Sequence, residues 1–274
     1  MYFLEISKIW EKIIFEVSIL LKKEPILSDF YYNSILKHKN LNSSLSYILA
    51  NKLSTSIVSE KKIQNIFDNI YLNNSFMLKF IVQDIQAILQ RDPAVKDYLT
   101  PLLYLKGFHA LEAYRLSHYL WGIKNTSLSK YLQNRISSEF SVDIHPAACI
   151  GSGVMLDHAT GIVIGEGVII EDNVSIFHSV TLGGTGKNFS KNRHPTIRKG
   201  VIIGAGAKIL GNIEVGLEAK IGAGSIVLKN VPPYVTVVGV PAKIVNPLDS
   251  QKYSSQEALN DFSYINRFQY GDGI

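Results

Sequence analysis

Residues 144–181 read IHPAAC IGSGVM LDHATG IV IGEGVI IEDNVS IFHSVT, and residues 203–226 read IGAGAK ILGNIE VGLEAK IGAGSI. An aliphatic residue returns every sixth place, at 144, 150, 156, then 164, 170, 176, 182, then 197, 203, 209, 215, 221 and 227. A small or β-branched residue stands four places after each. Hexad periodicity of this kind predicts a parallel β-helix in which each repeat supplies one short strand and one corner. Three hexads make one triangular turn, so eighteen residues advance the coil by one strand spacing, roughly 4.8 Å. The rhythm breaks twice, by two extra residues between 156 and 164 and by nine between 182 and 197. Glycine pairs such as Gly151/Gly153, Gly204/Gly206 and Gly222/Gly224 fall at the second and fourth places, where a tight corner calls for backbone angles that glycine reaches easily. Nothing in the repeat itself fixes the hand of the coil.

Upstream the pattern changes to that of helices. Ile6, Ile9, Trp10, Ile13, Val17 and Leu20 recur at three- and four-residue spacing, which predicts an amphipathic helix over 4–22 ended by Pro25. Similar patterns follow at 28–38, 43–52, 60–72, 75–90, 107–122 and 126–138, with Asn and Ser between them as caps and turns. The fold class is therefore α+β: an all-α helical domain at 1–140, a parallel β-helix at 141–245 carrying a loop at 183–195, and a polar, flexible tail at 246–274. Pro232, Pro233 and Pro241 cannot donate to a ladder and mark the end of the coil. Wide apolar faces with Phe30, Tyr31, Tyr32, Phe76 and Phe80 leave two readings of the helical half, a self-contained bundle or a surface buried against another subunit.

Of the 274 residues, 28 are Lys or Arg and 23 are Asp or Glu, a net charge of +5. The excess sits in residues 1–140, but Lys22, Lys23, Lys61 and Lys62 are scattered among acids. That reads as a solvated face and not as a nucleic-acid surface. The single cysteine, Cys149, excludes an intramolecular disulfide and fits a reducing compartment. Glu5, Glu11, Lys12 and Glu16 interrupt the apolar N-terminus, so it is neither a signal peptide nor a membrane span. A cytoplasmic location is expected.

Among the histidines, His38, His109 and His118 fall in helical patterns and His145 beside Pro146 in a turn. His158 and His178 are each the third residue of a hexad, three repeats apart, so they are expected to stack on one face of adjacent turns. Two stacked imidazoles hinder double protonation, as a general base near neutral pH requires. Asp157 holds the second place of its hexad, where other repeats carry glycine, and Asp143 lies fifteen residues before His158. The insertion GGTGKNFSKNRHP (183–195) leaves one corner as a loop, and Arg193 with His194 offers donors for a carboxylate or an oxyanion. Asp92 before Pro93 reads as a helix N-cap. Cys149 ends its hexad, away from the His158 place, and no residue stands out as a covalent nucleophile.

The strings RDPAV, TPLLYLKGFHALEAYRLSHYLW, VDIHPAACIGSG, MLDHATGIVIGE, SVTLGGTGK, RHPTIRKGVIIGAGAKILGNIEVG, AKIGAGS, GVPAKIV and the terminal YGDGI together resemble the bacterial serine acetyltransferase family over nearly the whole chain. The resemblance implies a left-handed coil and transfer of acetyl from acetyl-CoA to the L-serine hydroxyl without an acyl-enzyme. It implies His158 as general base oriented by Asp143, Asp92 and Asp157 at the substrate ammonium, and Arg193 and His194 at its carboxylate and the oxyanion. Acetyl-CoA would serve as co-substrate, with no metal, lying in a groove between subunits near Gly184, Ala205, Ala223 and Lys220. It further implies a trimer or dimer of trimers, inhibition by L-cysteine, and docking of Ile274 into O-acetylserine sulfhydrylase. His178 stands where the family leads one to expect glutamine. Other readings are a hexapeptide acyltransferase for a sugar or antibiotic hydroxyl, a zinc site on His158, His178 and His194, and a catalytically dead scaffold.

Overall fold

A computed structural model describes residues 2–186 and 193–246 of the chain. The centre of the 183–195 loop and the tail with Ile274 lie outside the described residues.

The helical half comprises α1 (Tyr2–Lys23), α2 (Ser28–Tyr31) continued by a π turn at Tyr32–Leu36, α3 (Leu41–Leu53), α4 (Glu60–Asn73), α5 (Met77–Arg91), α6 (Leu99–Tyr104), α7 (Lys106–Gly122) and α8 (Thr126–Phe140). Asn40 caps α3, its side chain accepting from the Ser43 N–H at 3.0 Å. Helix α6 was not visible in the periodicity. It is six residues long, contains Pro101 and buries Leu99, Leu102 and Leu103, so no polar stripe marks it. Helix α7 is buried almost all round from Gly107 to Ser117, as a helix must be when it is sandwiched between a bundle and a second layer. Among the described residues no helix is long and apolar enough to cross a membrane.

His109 lies in that central helix as a core residue, and its Nε2–H donates to the Leu102 carbonyl at 2.8 Å. Burial holds its pKa down at about 4, from an unfolded value of 6.5. A group whose pKa is depressed on folding contributes stability that is complete above pH 6.5 and is lost as pH falls toward 4. Urea unfolding at a series of pH values should show about 3 kcal/mol of this loss, and His109→Gln should flatten that part of the profile.

The second half is a coil of short strands: β1 (Val142–Ile144), β2 (Cys149–Ile150), β3 (Met155–Leu156), β4 (Ile162–Ile164), β5 (Ile169–Ile170), β6 (Ser175–Ile176), β7 (Thr181–Gly183), β8 (Thr196–Ile197), β9 (Ile202–Ile203), β10 (Lys208–Leu210), β11 (Glu214–Val215), β12 (Lys220–Ile221), β13 (Ile226–Val227), β14 (Thr236–Val238) and β15 (Lys243–Asn246). They form three parallel faces, β1-β4-β7-β10-β13, then β2-β5-β8-β11, then β3-β6-β9-β12-β14, with β15 antiparallel on the last. The register follows the hexads. Val163 pairs with Thr181 and Lys208 with Ile226, one regular turn of eighteen apart. Val142 pairs with Ile162, two residues longer, and Ile169 with Thr196, nine longer. The aliphatic starts point inward, with Ile176, Leu182, Ile197, Ile203 and Ile209 fully buried.

Two sequence expectations need correction. Pro232 and Pro233 do not end the coil, because they sit in a corner where no ladder N–H is needed, and β14 pairs with β12 beyond them. The glycines at the second place of a hexad serve close approach more than unusual angles: a Cβ on Gly204 would stand 2.6 Å from the Ala223 nitrogen of the next turn. In the left-handed region are the fourth-place glycines Gly153, Gly206 and Gly224, with φ 65°, 72° and 67°.

The helical layer is pinned to the first turn of the coil. Arg115 of α7 pairs with Asp84 of α5 at 2.6 Å and donates to the Ile150 and Gly151 carbonyls at 3.2 and 2.7 Å, while Asp84 accepts from the Val154 N–H at 2.8 Å. Glu112 adjoins this pair, and burial pushes its carboxyl well above the usual range, with Asp84 adding to the effect and Arg115 opposing it. Tyr114 donates to the Ala148 carbonyl, and His118 bonds the Pro146 carbonyl at 2.7 Å.

Candidate active site

The corner that leads from β3 to β4 contains the two-residue slip. His158 and Ala159 both take left-handed angles there, φ 53° and 60°. Such angles in non-glycine residues are a strained choice that the surroundings must hold in place. Ala159 is fully buried, the Gly161 N–H donates to Ser141 O at 2.7 Å, and the Ser179 N–H to Thr160 O at 2.8 Å. Lys106, the first residue of α7, donates to the Thr160 hydroxyl. Gly107 rests directly on the Leu156 carbonyl and leaves no space for a Cβ. Gly107→Ala should therefore lift α7 from the corner, lowering stability by about 1–3 kcal/mol in thermal unfolding and reducing turnover with it.

Register builds the rest of the site. Leu156 pairs with Ile176, Ile176 with Ile203 and Ile203 with Ile221. Two residues beyond each stand His158, His178, Ala205 and Ala223, which form one column down this edge of the coil. The expected stacking of the two histidines is present, with ring centroids 5.9 Å apart and planes at 69°. His158 is 57% exposed at its side chain, open to a substrate, and lies 3.8 Å from Asp157. Lys220 is in β12 on the adjoining face, paired with Ile202 and Thr236.

Asp92 reaches the same place by another route. It is the residue after α5 and caps no following helix, contrary to the sequence expectation; its side chain instead accepts from the Ala94 N–H at 2.8 Å in an Asx turn. Arg91 anchors that end of α5 to the coil, donating to Gly153 O at 3.0 Å and to Asn173 Oδ1 at 3.2 Å. The result is two carboxylates near one imidazole. Burial raises the Asp157 pKa, His158 opposes the rise, and Asp92 adds to it. A cation arriving between these carboxylates would relieve their mutual repulsion.

Arg193, His194 and Gly184 lie elsewhere. The loop after β7 leaves from the opposite edge of the β1-β4-β7 face, and Gly184 sits against Arg193 there. His194 folds back onto the turn above and accepts from the Gly167 N–H through Nδ1 at 3.2 Å. That bond places the proton of the neutral ring on Nε2. Burial lowers the His194 pKa, and the Arg193 charge lowers it further. Within one chain, then, His158 and His194 flank opposite edges of a face and do not meet. Asp143 lies on that face in β1 and accepts from Gln133 Nε2 at 2.8 Å; among the described residues no hydrogen bond or ion pair joins it to His158.

Sequence reasoning missed Lys106, Gly107, Thr160, Arg91 and Gln133 as supports of the site. Only Gly107 had a signal, since glycine inside a helical pattern is unfavourable unless something approaches closely.

A triangular coil of hexads behind a helical layer defines a hexapeptide-repeat protein. A family model described as the N-terminal part of serine acetyltransferase matches residues 9–113. The serine acetyltransferase of Buchnera aphidicola subsp. Acyrthosiphon pisum (strain APS) is 77% identical over 274 residues, the whole of both chains. A solved serine acetyltransferase in complex with cysteine is 55% identical with a TM-score of 0.85, over 88% of this chain and 99% of its own. A serine acetyltransferase in complex with CoA is 55% identical with a TM-score of 0.84, over 88% of this chain and 100% of its own. The chain belongs to the serine acetyltransferase family.

Proposed function

We propose that the protein transfers the acetyl group of acetyl-CoA to the hydroxyl of L-serine, giving O-acetyl-L-serine and CoA, with His158 as general base. The observation that carries this is the corner itself: one open imidazole beside two carboxylates that favour an ammonium, at the head of a column of small residues suited to an extended acyl donor. Asp92 and Asp157 hold the serine ammonium, which brings its hydroxyl to His158. His158 takes the hydroxyl proton as the oxygen attacks the thioester carbonyl. When the tetrahedral intermediate collapses, the C–S bond breaks and the proton on His158 neutralises the departing CoA thiolate. No covalent enzyme intermediate forms. Asp143 orients and charge-balances His158; the Gly161–Ser141 bond, which brings the corner segment down beside β1, supports this role.

The substrate carboxylate and the oxyanion are met by Arg193 and His194 of a second copy of the chain. Their place on the opposite edge of the face supports that reading, as do the exposed apolar side chains on the coil's faces, Val163 at 40% and Ile169 at 45%. A closed ring of three such coils is the simplest arrangement, with helical domains pairing two rings. Acetyl-CoA runs down the edge past Ala205 and Ala223, with Gly184 of the neighbouring copy beside it and Lys220 near its nucleotide end. L-Cysteine carries the same ammonium and carboxylate as serine and so competes for the site. Docking of Ile274 into O-acetylserine sulfhydrylase belongs to this proposal as well.

A steady-state assay of CoA release tests the reading. Release should depend on L-serine and fall on addition of L-cysteine. Release with amino sugars or an antibiotic hydroxyl, and none with L-serine, would overturn it.

A further inference from the structure

His178 carries a buried Nδ1 with no hydrogen-bond partner among the described residues, while no such orphan is found at its Nε2. An N–H buried without an acceptor is rarer and more unfavourable than a bare lone pair. In the neutral ring the proton therefore sits on Nε2. The titratable groups that face it are His158 and Asp157 on the turn above, with Asp92 behind Asp157. Below it, the Gly206 N–H donates to the His178 carbonyl at 2.9 Å, and Lys208 is tied to the carbonyls of Ser179 and Gly206 at 2.7 and 2.9 Å.

We propose that His178 is a further catalytic residue, a donor whose Nε2–H bonds the thioester carbonyl oxygen of the acyl donor and, together with the donors of the neighbouring copy's loop, strengthens as that oxygen becomes an oxyanion. The inference rests on the reading of His158 as base. The serine oxygen must lie beside His158, and the carbonyl it attacks must lie within bonding reach of that oxygen. One step down the column, roughly 4.8 Å away, is where a donor meets that carbonyl, and His178 occupies the step. A donor aimed at the place where the oxyanion forms lowers the barrier without any change in its own charge.

The test compares His178→Gln, which keeps an N–H donor, with His178→Leu, which has none, in the full-length enzyme with acetyl-CoA and L-serine. The leucine variant should lose about 10²-fold in kcat, with KM for L-serine and the melting temperature unchanged. The glutamine variant should stay within about threefold of the parent and keep the acidic limb of its kcat–pH profile. Wild-type turnover in the leucine variant overturns the proposal. So does an equal loss in both variants, or a displaced acidic limb in the glutamine variant, which would mean that His178 acts by its charge. Failure of the base reading shows separately, as activity that survives in His158→Asn.

Discussion

Replacing His158 with asparagine lowers kcat by a factor of about 10² or more, while the melting temperature stays within a degree or two of the parent. Asparagine is the informative choice because residue 158 sits at φ 53°, a conformation that asparagine tolerates better than alanine. An alanine variant would mix loss of the base with strain at an already twisted corner. The pairing of Asp157 with Ile176 O at 2.8 Å and the Lys106–Thr160 contact do not involve the imidazole, so the corner should persist without it. Turnover near that of the parent in a correctly folded asparagine variant would remove the base from the mechanism.

The largest loss of stability is expected from Asp84→Ala. The carboxylate is fully buried, accepts from the Val154 N–H and pairs with Arg115, whose guanidinium is 5% exposed. Burial raises the Asp84 pKa and Arg115 holds it down. Removing Asp84 leaves the buried Arg115 with Glu112 alone, 3.6 Å away, and strips the Val154 N–H of its acceptor, and breaking a buried pair in this way costs about 3–5 kcal/mol. Because this pair joins α5 and α7 to the Ile150–Val154 segment, the variant should also loosen the helical layer that delivers Asp92 to the corner. Urea unfolding reads the first effect and KM for L-serine the second. A loss under about 1 kcal/mol, the range of an exposed pair, would show that the joint is carried by apolar packing alone.

How much was legible in the sequence differs between the coil and its support. The turns could be counted from aliphatic spacing because one buried position per hexad is a local demand, and both breaks in register appear where the count placed them. Stacking of His158 on His178 followed from the same arithmetic. Helix α6, the anchoring by Arg91 and the seat of Gly107 on Leu156 could not be counted, since each depends on contacts between residues far apart in sequence. Asp92 illustrates the limit: locally Asp-Pro reads as a helix start, yet tertiary packing makes it the end of α5 and brings it to Asp157. The separation of His158 from His194 was hidden for a related reason. Register says which residues stack along an edge, and only the course of the insertion says which edge the loop leaves from.

That separation makes the shared site the point on which the account stands. Co-expression of a His158→Asn chain with a His194→Ala chain, each inactive alone, measures it directly. If a site takes His158 from one copy and His194 from the next, randomly mixed rings should recover about a quarter of the parent activity. If both residues serve a site within a single chain, no mixture contains an intact site, and activity in the mixed preparation no higher than in either variant alone would contradict the account.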